Sequence, residues 1–360
     1  MEITRQHSPT IDRVTRQQQS APAPKKPPFV SILIPAYNAE ETIASTIRSA
    51  LAQTWESKEI IVVDDGSSDK TLRIARQYES DVVRVFTQRN QGATYARNEA
   101  FARSGGEYIQ WLDADDLLDP DKIALQLAAI DAKCSRRTLL SSEWGLFMYR
   151  HHRARFVPTA LWCDLSPVEW LLRKLSLNLY MQTGTWLVSR ELTEAAGPWD
   201  VRLLSDDDGE YFSRVLLASD GVRFVTGARM FYRGPGLAFA GLSYLGRDFR
   251  RIEAHWLSMQ LHIEYLLSLE DSARTRAACC HYLQTLLIYF YPDYPDLVTA
   301  ITTKANELGG EIAIPQLSWK YSWIQSSLGW RSAKLVQQAL LHVRWAAARK
   351  LDKLIHNTRI

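Results

Sequence analysis

Tyr108-Ile109-Gln110-Trp111-Leu112 reads as a buried strand, and it runs straight into the carboxylates Asp113-Ala114-Asp115-Asp116. Ionised carboxylates this close repel, and one of a pair sharing a site has its pKa raised unless a cation lies between them. A divalent metal is the simplest resolution. On an extended backbone residues i and i+2 share a face, so Asp113 and Asp115 are expected to point together and Asp116 away. Hard ions such as Mg2+ or Mn2+ are commonly held by one or two carboxylates plus substrate phosphates, with water in the remaining positions. The chemistry this spacing suits is therefore a metal ion facing a diphosphate. The competing reading is a polar strand end whose acids cap a helix that begins at Asp119 and Pro120. A second acidic cluster, Ser205-Asp206-Asp207-Asp208-Gly209-Glu210, precedes a helical pattern with Tyr211, Val215 and Ala218 on one stripe. Acids at a helix start are favoured by the macrodipole alone, so this cluster needs no catalytic reason.

The elements that would position these acids follow a regular plan. Phe29 to Pro35, Glu59 to Val63, Val82 to Phe86 and the Tyr108 run read as strands. Helical patterns at Glu40 to Gln53, Asp69 to Tyr78 and Ala93 to Arg103 alternate with them. That alternation predicts an α/β fold, a Rossmann-like doubly wound sheet with right-handed crossovers. Such sheets bind ligands beyond the carboxyl ends of their strands. The residues there are Tyr37 and Asn38, Asp64 and Asp65, Asn90 and Gly92, and Asp113 and Asp115, so all four edges are polar. An aspartate can accept a hydrogen bond from a base N–H and Tyr37 can stack on the base. Helix N-termini favour phosphate, and Arg97 could add a charge-assisted contact.

These segments together resemble the family 2 glycosyltransferases of GT-A fold. The matching residues are Ser31 to Asn38, Val62 to Asp69, Asn90-Gln91-Gly92 with Ala96-Arg97-Asn98, and Leu112 to Asp116. The resemblance covers residues 29 to about 235 and lapses in both tails. It implies a nucleotide-sugar donor, UDP-linked by preference, with Pro35, Ala36, Tyr37, Asp64 or Asp65, Gly92 and Arg97 around the nucleoside. Asp113 and Ala114 would lie near the ribose and diphosphate, Asp115 with Asp113 would bind Mn2+ or Mg2+, and Asp116 would be structural. An acid-acid-x-acid pattern followed by arginine marks the helix of the catalytic base in this family. Counting back from Arg214 places the base at Asp208, with Asp207 and Asp206 as neighbouring alternatives. The implied reaction is an inverting transfer of a sugar to a hydroxyl of a saccharide or glycolipid, as in polysaccharide biosynthesis. Arg233 is a weaker candidate near the diphosphate, in a glycine-rich stretch with Gly234, Pro235, Gly236, Leu242 and Ser243 that could form a lid. Two other readings are a sugar nucleotidyltransferase and a non-catalytic nucleotide-sugar or glycan-binding module. The first would want a basic glycine-rich phosphate loop after the first strand, which Pro35-Ala36-Tyr37-Asn38 is not. The second would not require acids at both Asp115 and Asp208.

The remaining sequence sets boundaries. With 360 residues, 46% hydrophobic composition and net charge +3, the chain has room for two globular units and gives no call for nucleic acid. Residues 1–28 read as a disordered basic leader, 29–246 as the glycosyltransferase domain and 247–360 as a helical C-terminal appendage. No apolar run reaches the ~18 residues of a spanning helix, and the start is polar, so a cytoplasmic chain is expected. The four cysteines lack metal or disulfide spacing and read as reduced thiols. His151-His152 has no ligand partner at a recognisable spacing. Further strands are expected at Leu139 to Trp144, Leu146 to Tyr149, Met181 to Val188, Val222 to Val225 and Met230 to Arg233. Helices are expected at Pro120 to Ala132, from Ser166, and at 252–269, 272–288, 295–308 and 332–355. In the last of these Leu335, Val336, Ala339, Leu340, Val343, Ala347 and Leu354 form a stripe. It fits a helix packed on its neighbours with a solvated basic face, the simpler expectation, or a peripheral contact at the inner face of a membrane.

Overall fold

The computed structural model describes residues 27–131, 134–234 and 248–357. The leader up to residue 26 and the stretch containing Pro235, Gly236, Leu242 and Ser243 lie outside the described residues. The first sheet is built from β1 (Val30–Ala36), β2 (Lys58–Asp64), β3 (Val83–Thr87), β4 (Tyr108–Trp111) and β8 (Val188–Ser189), in the order β3-β2-β1-β4-β8. β1 pairs in parallel with β2 and β4, and β2 with β3, while β8 is antiparallel to β4. Period-2 alternation sends Ile32, Ile34, Ile60 and Val62 to one side, against Ile43, Ile47 and Ala50 of α1 (Ile43–Leu51). Leu33, Ile61, Val63 and Ile109 go to the other, with Ala96 and Ala100 of α3 (Ala93–Ala102). Both faces are covered, as a parallel sheet requires. The strand order reverses between β1 and β4, and the crevice at that switch point is where the first acidic cluster lies.

A second sheet has the order β5-β9-β6-β7, from β5 (Leu117–Leu118), β6 (Thr138–Phe147), β7 (Arg155–Phe156) and β9 (Gly221–Arg233). The two pairs of short strands expected on either side of Gly145 and Gly227 are each one continuous strand. β6 and β9 stay paired across a register shift at Ser142/Glu143. Gly227, at φ 85°, makes the bulge possible, and Glu143 straps it by accepting from the Gly227 N–H at 2.9 Å and the Arg229 Nε at 3.0 Å. Met181 to Val188 is not a strand along its length. Thr183–Thr185 forms a 3-10 turn closed by Thr185 N–H on the Gln182 carbonyl at 2.9 Å; Leu187 makes an isolated antiparallel bridge to Leu140, and Val188–Ser189 pairs with β4. Ser189 then caps α6 (Arg190–Ala196), a helix the sequence reading did not include. The helix after the acidic turn is also shorter than expected, α4 being Lys122–Ala128; Asp121 at its start makes no side-chain capping bond, and Asp119 Oδ1 accepts from the Asp121 N–H at 3.3 Å just ahead of it.

α5 (Pro167–Leu177) and α7 (Asp207–Ala218) carry the sheet's outer face toward the C-terminal helices α8 (Phe249–Leu269), α9 (Ala273–Leu286) and α10 (Pro295–Glu307). Ile252, Met259 and Ile263 of α8 and Cys279 and Leu283 of α9 are buried in the same cluster as Leu33, Trp111, Trp170 and Val215. The helical region therefore shares the core of the sheet. α11 (Ser322–Asn357) is interrupted at Gly329, whose φ of 82° breaks the helix. The stripe expected to pack inward is on the outside, with Leu340, Val343 and Leu354 exposed. The polar face docks instead: Asp352 accepts from the Tyr149 N–H at 2.9 Å and from Arg150 Nε at 2.7 Å.

Candidate active site

Helix α3 brings the first charged group. Arg97 is buried, donates to Asp113 at 2.8 Å and to Asp207, and lies 4.3 Å over the ring of Trp199. Asn98 fixes that ring: its Oδ1 accepts from the Trp199 N–H at 2.8 Å and its Nδ2 donates to the Trp199 carbonyl at 3.0 Å. Trp199 stacks on Tyr211 at 3.9 Å between ring centres. Burial disfavours the guanidinium charge, but Asp207 and Asp113 outweigh it and hold the pKa of Arg97 above its ordinary value. Arg97 thus joins the two acidic clusters and is not free to reach a base.

The segment after β4 is a turn, closed by the Asp116 N–H on the Asp113 carbonyl at 3.1 Å, so the expectation of an extended Asp113–Asp115 pair does not hold. The turn is pinned from outside. Thr46 Oγ1 of α1 donates to the carbonyls of Ala114 and Asp116, and Arg233 at the end of β9 donates from its N–H to Asp116 Oδ1 at 2.8 Å and from Nε to the Asp115 carbonyl at 2.7 Å. Asp113 and Asp115 nevertheless line one cavity. Surrounding protein, then the Asp113 charge, push the pKa of Asp115 up to about 6 against the pull of Arg233. Its carboxylate still opens to solvent and pairs with no cation among the described residues. Asp116 is buried, and burial first, then Asp115 and Asp113, raises its pKa well above the ordinary carboxylate range, which suits a structural acid.

That cavity, of about 910 Å³, lies at the carboxyl ends of β1 and β4. Pro35, Ala36, Tyr37, Asp65, Gly92, Arg97, Asp113, Ala114, Asp115 and Arg233 all line it, as the sequence led one to expect. Asp64 does not. Its carboxylate turns back to Thr87 Oγ1 at 3.0 Å and the Ser67 N–H at 3.3 Å, whereas Asp65 accepts from the Gln91 and Gly92 N–H groups at 3.0 and 2.7 Å and shapes the rim. Tyr37 is half exposed, its ring available to a planar ligand. Among the cavity residues that the sequence did not mark as candidates are Arg251 of α8 and Arg349 of α11. Both come from helices that no motif marks. Six carboxylates, Asp113 and Asp115 among them, and four arginines line this recess; Asp113 and Asp115 offer oxygen donors of the kind Mg2+ or Mn2+ takes, and the arginines suit a phosphorylated ligand.

A second cavity, of about 470 Å³, is lined by Trp144, Tyr180, Tyr232, Tyr289 and Trp345 and holds the carboxylate of Asp208. The three adjacent aspartates have separate partners. Asp206, in the left-handed region at φ 55°, accepts from Ser258 Oγ at 2.7 Å beside the buried His262. Burial works against its ionisation, yet His262, Lys174 and His255 hold its pKa below the ordinary value. Asp207 is taken by Arg97. Among the described residues Asp208 has only the neighbouring Gly209 N–H at 2.9 Å and Thr183 Oγ1 at 3.4 Å as partners. Burial, then the charges of Asp207 and Asp206, push its pKa up to about 7. Glu210 and Arg214 pair at 2.5 Å, and Arg214 also donates to the Ala196 carbonyl at 2.6 Å, which ties α7 to α6. A carboxylate that is free, half buried and poised near neutrality can accept a proton from a bound hydroxyl.

Residues 31–163 match the model of the family described as Glycosyl transferase family 2. An uncharacterized glycosyltransferase of Rickettsia typhi is 39% identical over 130 residues, 36% of this chain and 41% of that one. The putative teichuronic acid biosynthesis glycosyltransferase TuaG of Bacillus subtilis is 43% identical over 103 residues, 28% of this chain and 41% of TuaG. Chondroitin synthase of Escherichia coli is 40% identical over 129 residues, 35% of this chain and 19% of the synthase. The alignment thus spans less than half the length of each of these relatives. Among solved structures, S. aureus TarS 1-349 has a TM-score of 0.57 at 18% identity, covering 77% of this chain and 78% of TarS. The same fragment in complex with UDP-GlcNAc has a TM-score of 0.59 at 17% identity, covering 78% of this chain and 80% of that one. At that identity the likeness is one of fold.

Proposed function

We propose, from the premise that the chain belongs to glycosyl transferase family 2 through residues 31–163, that it transfers a sugar from a UDP-sugar to a saccharide hydroxyl with inversion at the anomeric carbon. The observation that carries this reading is Asp208: a carboxylate without an ion pair among the described residues, in an aromatic cavity, next to the acid that Arg97 links to the cavity of Asp113 and Asp115. In the larger cavity Tyr37 stacks on the uracil, and Arg233, Arg251 and Arg349 meet the diphosphate. Asp115 with Asp113 would hold a Mn2+ or Mg2+ ion, which supplies charge neutralisation for the departing diphosphate when bound. In the smaller cavity the C–H face of a sugar ring packs on Trp144 and Tyr180, and the acceptor hydroxyl lies at Asp208. Asp208 takes the hydroxyl proton as the oxygen attacks the anomeric carbon from the side opposite UDP. One displacement inverts the centre through an oxocarbenium-like transition state, and no enzyme nucleophile is needed. The relatives' names point to polysaccharide assembly as the setting.

Calorimetric titration with UDP, GDP and TDP, each with Mn2+, Mg2+ or EDTA, tests the donor half. We expect metal-dependent binding of UDP that Asp115→Asn abolishes. Asp208→Asn should keep that binding while turnover falls ~10²- to 10⁴-fold, the usual worth of a general base. Folded protein that binds no nucleotide would sink the transferase reading.

A further inference from the structure

Amphipathic helices of soluble proteins turn their apolar stripe to the core. α11 does the reverse. Val336, Leu340, Val343, Leu351 and Leu354 recur at spacings of three, four or seven to eight residues along one side, and Leu340, Val343, Leu351 and Leu354 are 53, 66, 60 and 57% exposed. The opposite side carries the groups that hold the helix down. Asp352 binds Arg150 and the Tyr149 N–H, Arg349 donates to Tyr149 Oη at 3.2 Å, and Lys334 donates to the Tyr291 carbonyl at 3.0 Å. These polar contacts, with buried Ala333 and with Trp345 against the smaller cavity, fix the inward side of the helix, and its apolar stripe is left outward.

Charge indicates what covers that face. Asp352 is the sole acid among residues 322–357, and it points inward to Arg150. Arg344 and Lys350, beside the apolar stripe, are exposed and make no ion pair among the described residues. Trp319 just before the helix and Trp323 in its first turn are also largely exposed. A second copy of the chain laid on this face would bring Arg344 and Lys350 against their own like. An anionic lipid surface complements them, accepts the apolar stripe to the depth of the acyl boundary, and favours tryptophan at the headgroup level. No described helix is long and apolar enough to cross a membrane, so the contact is with the surface.

We propose that the outward face of α11 is a docking surface for an anionic membrane, on which the protein lies with Val343 and Leu354 embedded and Arg344 and Lys350 at the headgroups. Because Arg349 of the same helix lines the larger cavity, a chain docked this way holds its nucleotide-sugar site beside the lipid surface.

Co-sedimentation of the full chain with vesicles tests this without reference to catalysis. One set is phosphatidylcholine alone and the other contains phosphatidylglycerol. Binding to the second and not the first is expected, weakening as salt is raised. Arg344→Glu with Lys350→Glu should weaken it by roughly fivefold or more per cation removed. Leu340→Glu with Val343→Glu should abolish it, while circular dichroism and nucleotide binding stay as in the wild type, since both side chains are already exposed. The proposal is overturned by failure to bind either vesicle, by binding that these variants leave unchanged, or by a concentration-dependent dimer that Leu340→Glu with Val343→Glu dissolves.

Discussion

Three consecutive aspartates at the start of α7 have different environments, and this assigns their roles. Asp206 is held ionised by the histidines and lysine near it, Asp207 by Arg97, and Asp208 is left with its charge uncompensated. A carboxyl whose pKa rises from the ordinary ~3.9 to about 7 on folding binds its proton more tightly in the folded state. Stability linked to Asp208 is therefore present below about pH 4 and is lost as pH rises toward 7. Asn cannot ionise. Asp208→Asn is expected to unfold at the same temperature as the wild type near pH 4 and at a higher temperature at pH 8, with the gap opening between them. Wild-type turnover should climb over the same window, because the base works only once deprotonated. Thermal scans across pH decide the matter: an Asn variant less stable than the wild type at pH 8 would show that the carboxylate is stabilised and not strained. The gain in stability alongside lost turnover is what a site held in an unfavourable charge state predicts.

At the level of the elements, the loops after β2 and β3 are locked together. Gly66 sits at φ 70°, and a Cβ there would approach the Asn90 backbone N to 2.7 Å. Gly66→Ala should cost ~1 to 2 kcal/mol for the backbone conformation alone. It should also loosen the Asn90 to Gly92 rim that Asp65 holds, so weaker nucleotide binding is expected by calorimetry; unchanged affinity would separate that rim from the donor site. The alternation of strands and helices that builds these loops was legible because both periods are local, and the polar residues after each strand followed from it. Legibility stopped where a partner lies far along the chain. Nothing near Gly227 announces that Glu143, 84 residues earlier, will strap a bulge and keep β9 in one piece. Asp64 and Asp65 are adjacent and chemically alike, and only the positions of Thr87 and Gly92 tell them apart. Arg251 and Arg349 carry no local signal at all, since their place in the cavity depends on how α8 and α11 dock.

For the whole molecule, the C-terminal helices divide into two kinds. α8 and α9 are built into the core that also contains the sheet, and Ser258 and Tyr265 of α8 bond Asp206 and Glu210 at the start of α7, both at 2.7 Å. A chain ending at residue 247 would lose those bonds and uncover the apolar faces of α5 and α7. If five large side chains there lose their cover at roughly 2 kcal/mol each, the deficit is on the order of 10 kcal/mol, the whole stability of an ordinary domain. That truncation is expected to give insoluble protein, or protein without near-ultraviolet circular dichroism. α11 stands apart, because few of its side chains, among them Ile324 and Ala333, are buried and it is held mainly by polar contacts. A chain ending at residue 321 should remain folded, with a cooperative thermal transition, and should bind UDP more weakly for want of Arg349. The two truncations oppose each other. A cooperatively folded chain ending at residue 247 would mean that the first domain needs no helical cover, whereas failure of the chain ending at 321 would mean that α11 is part of the core in spite of its outward stripe.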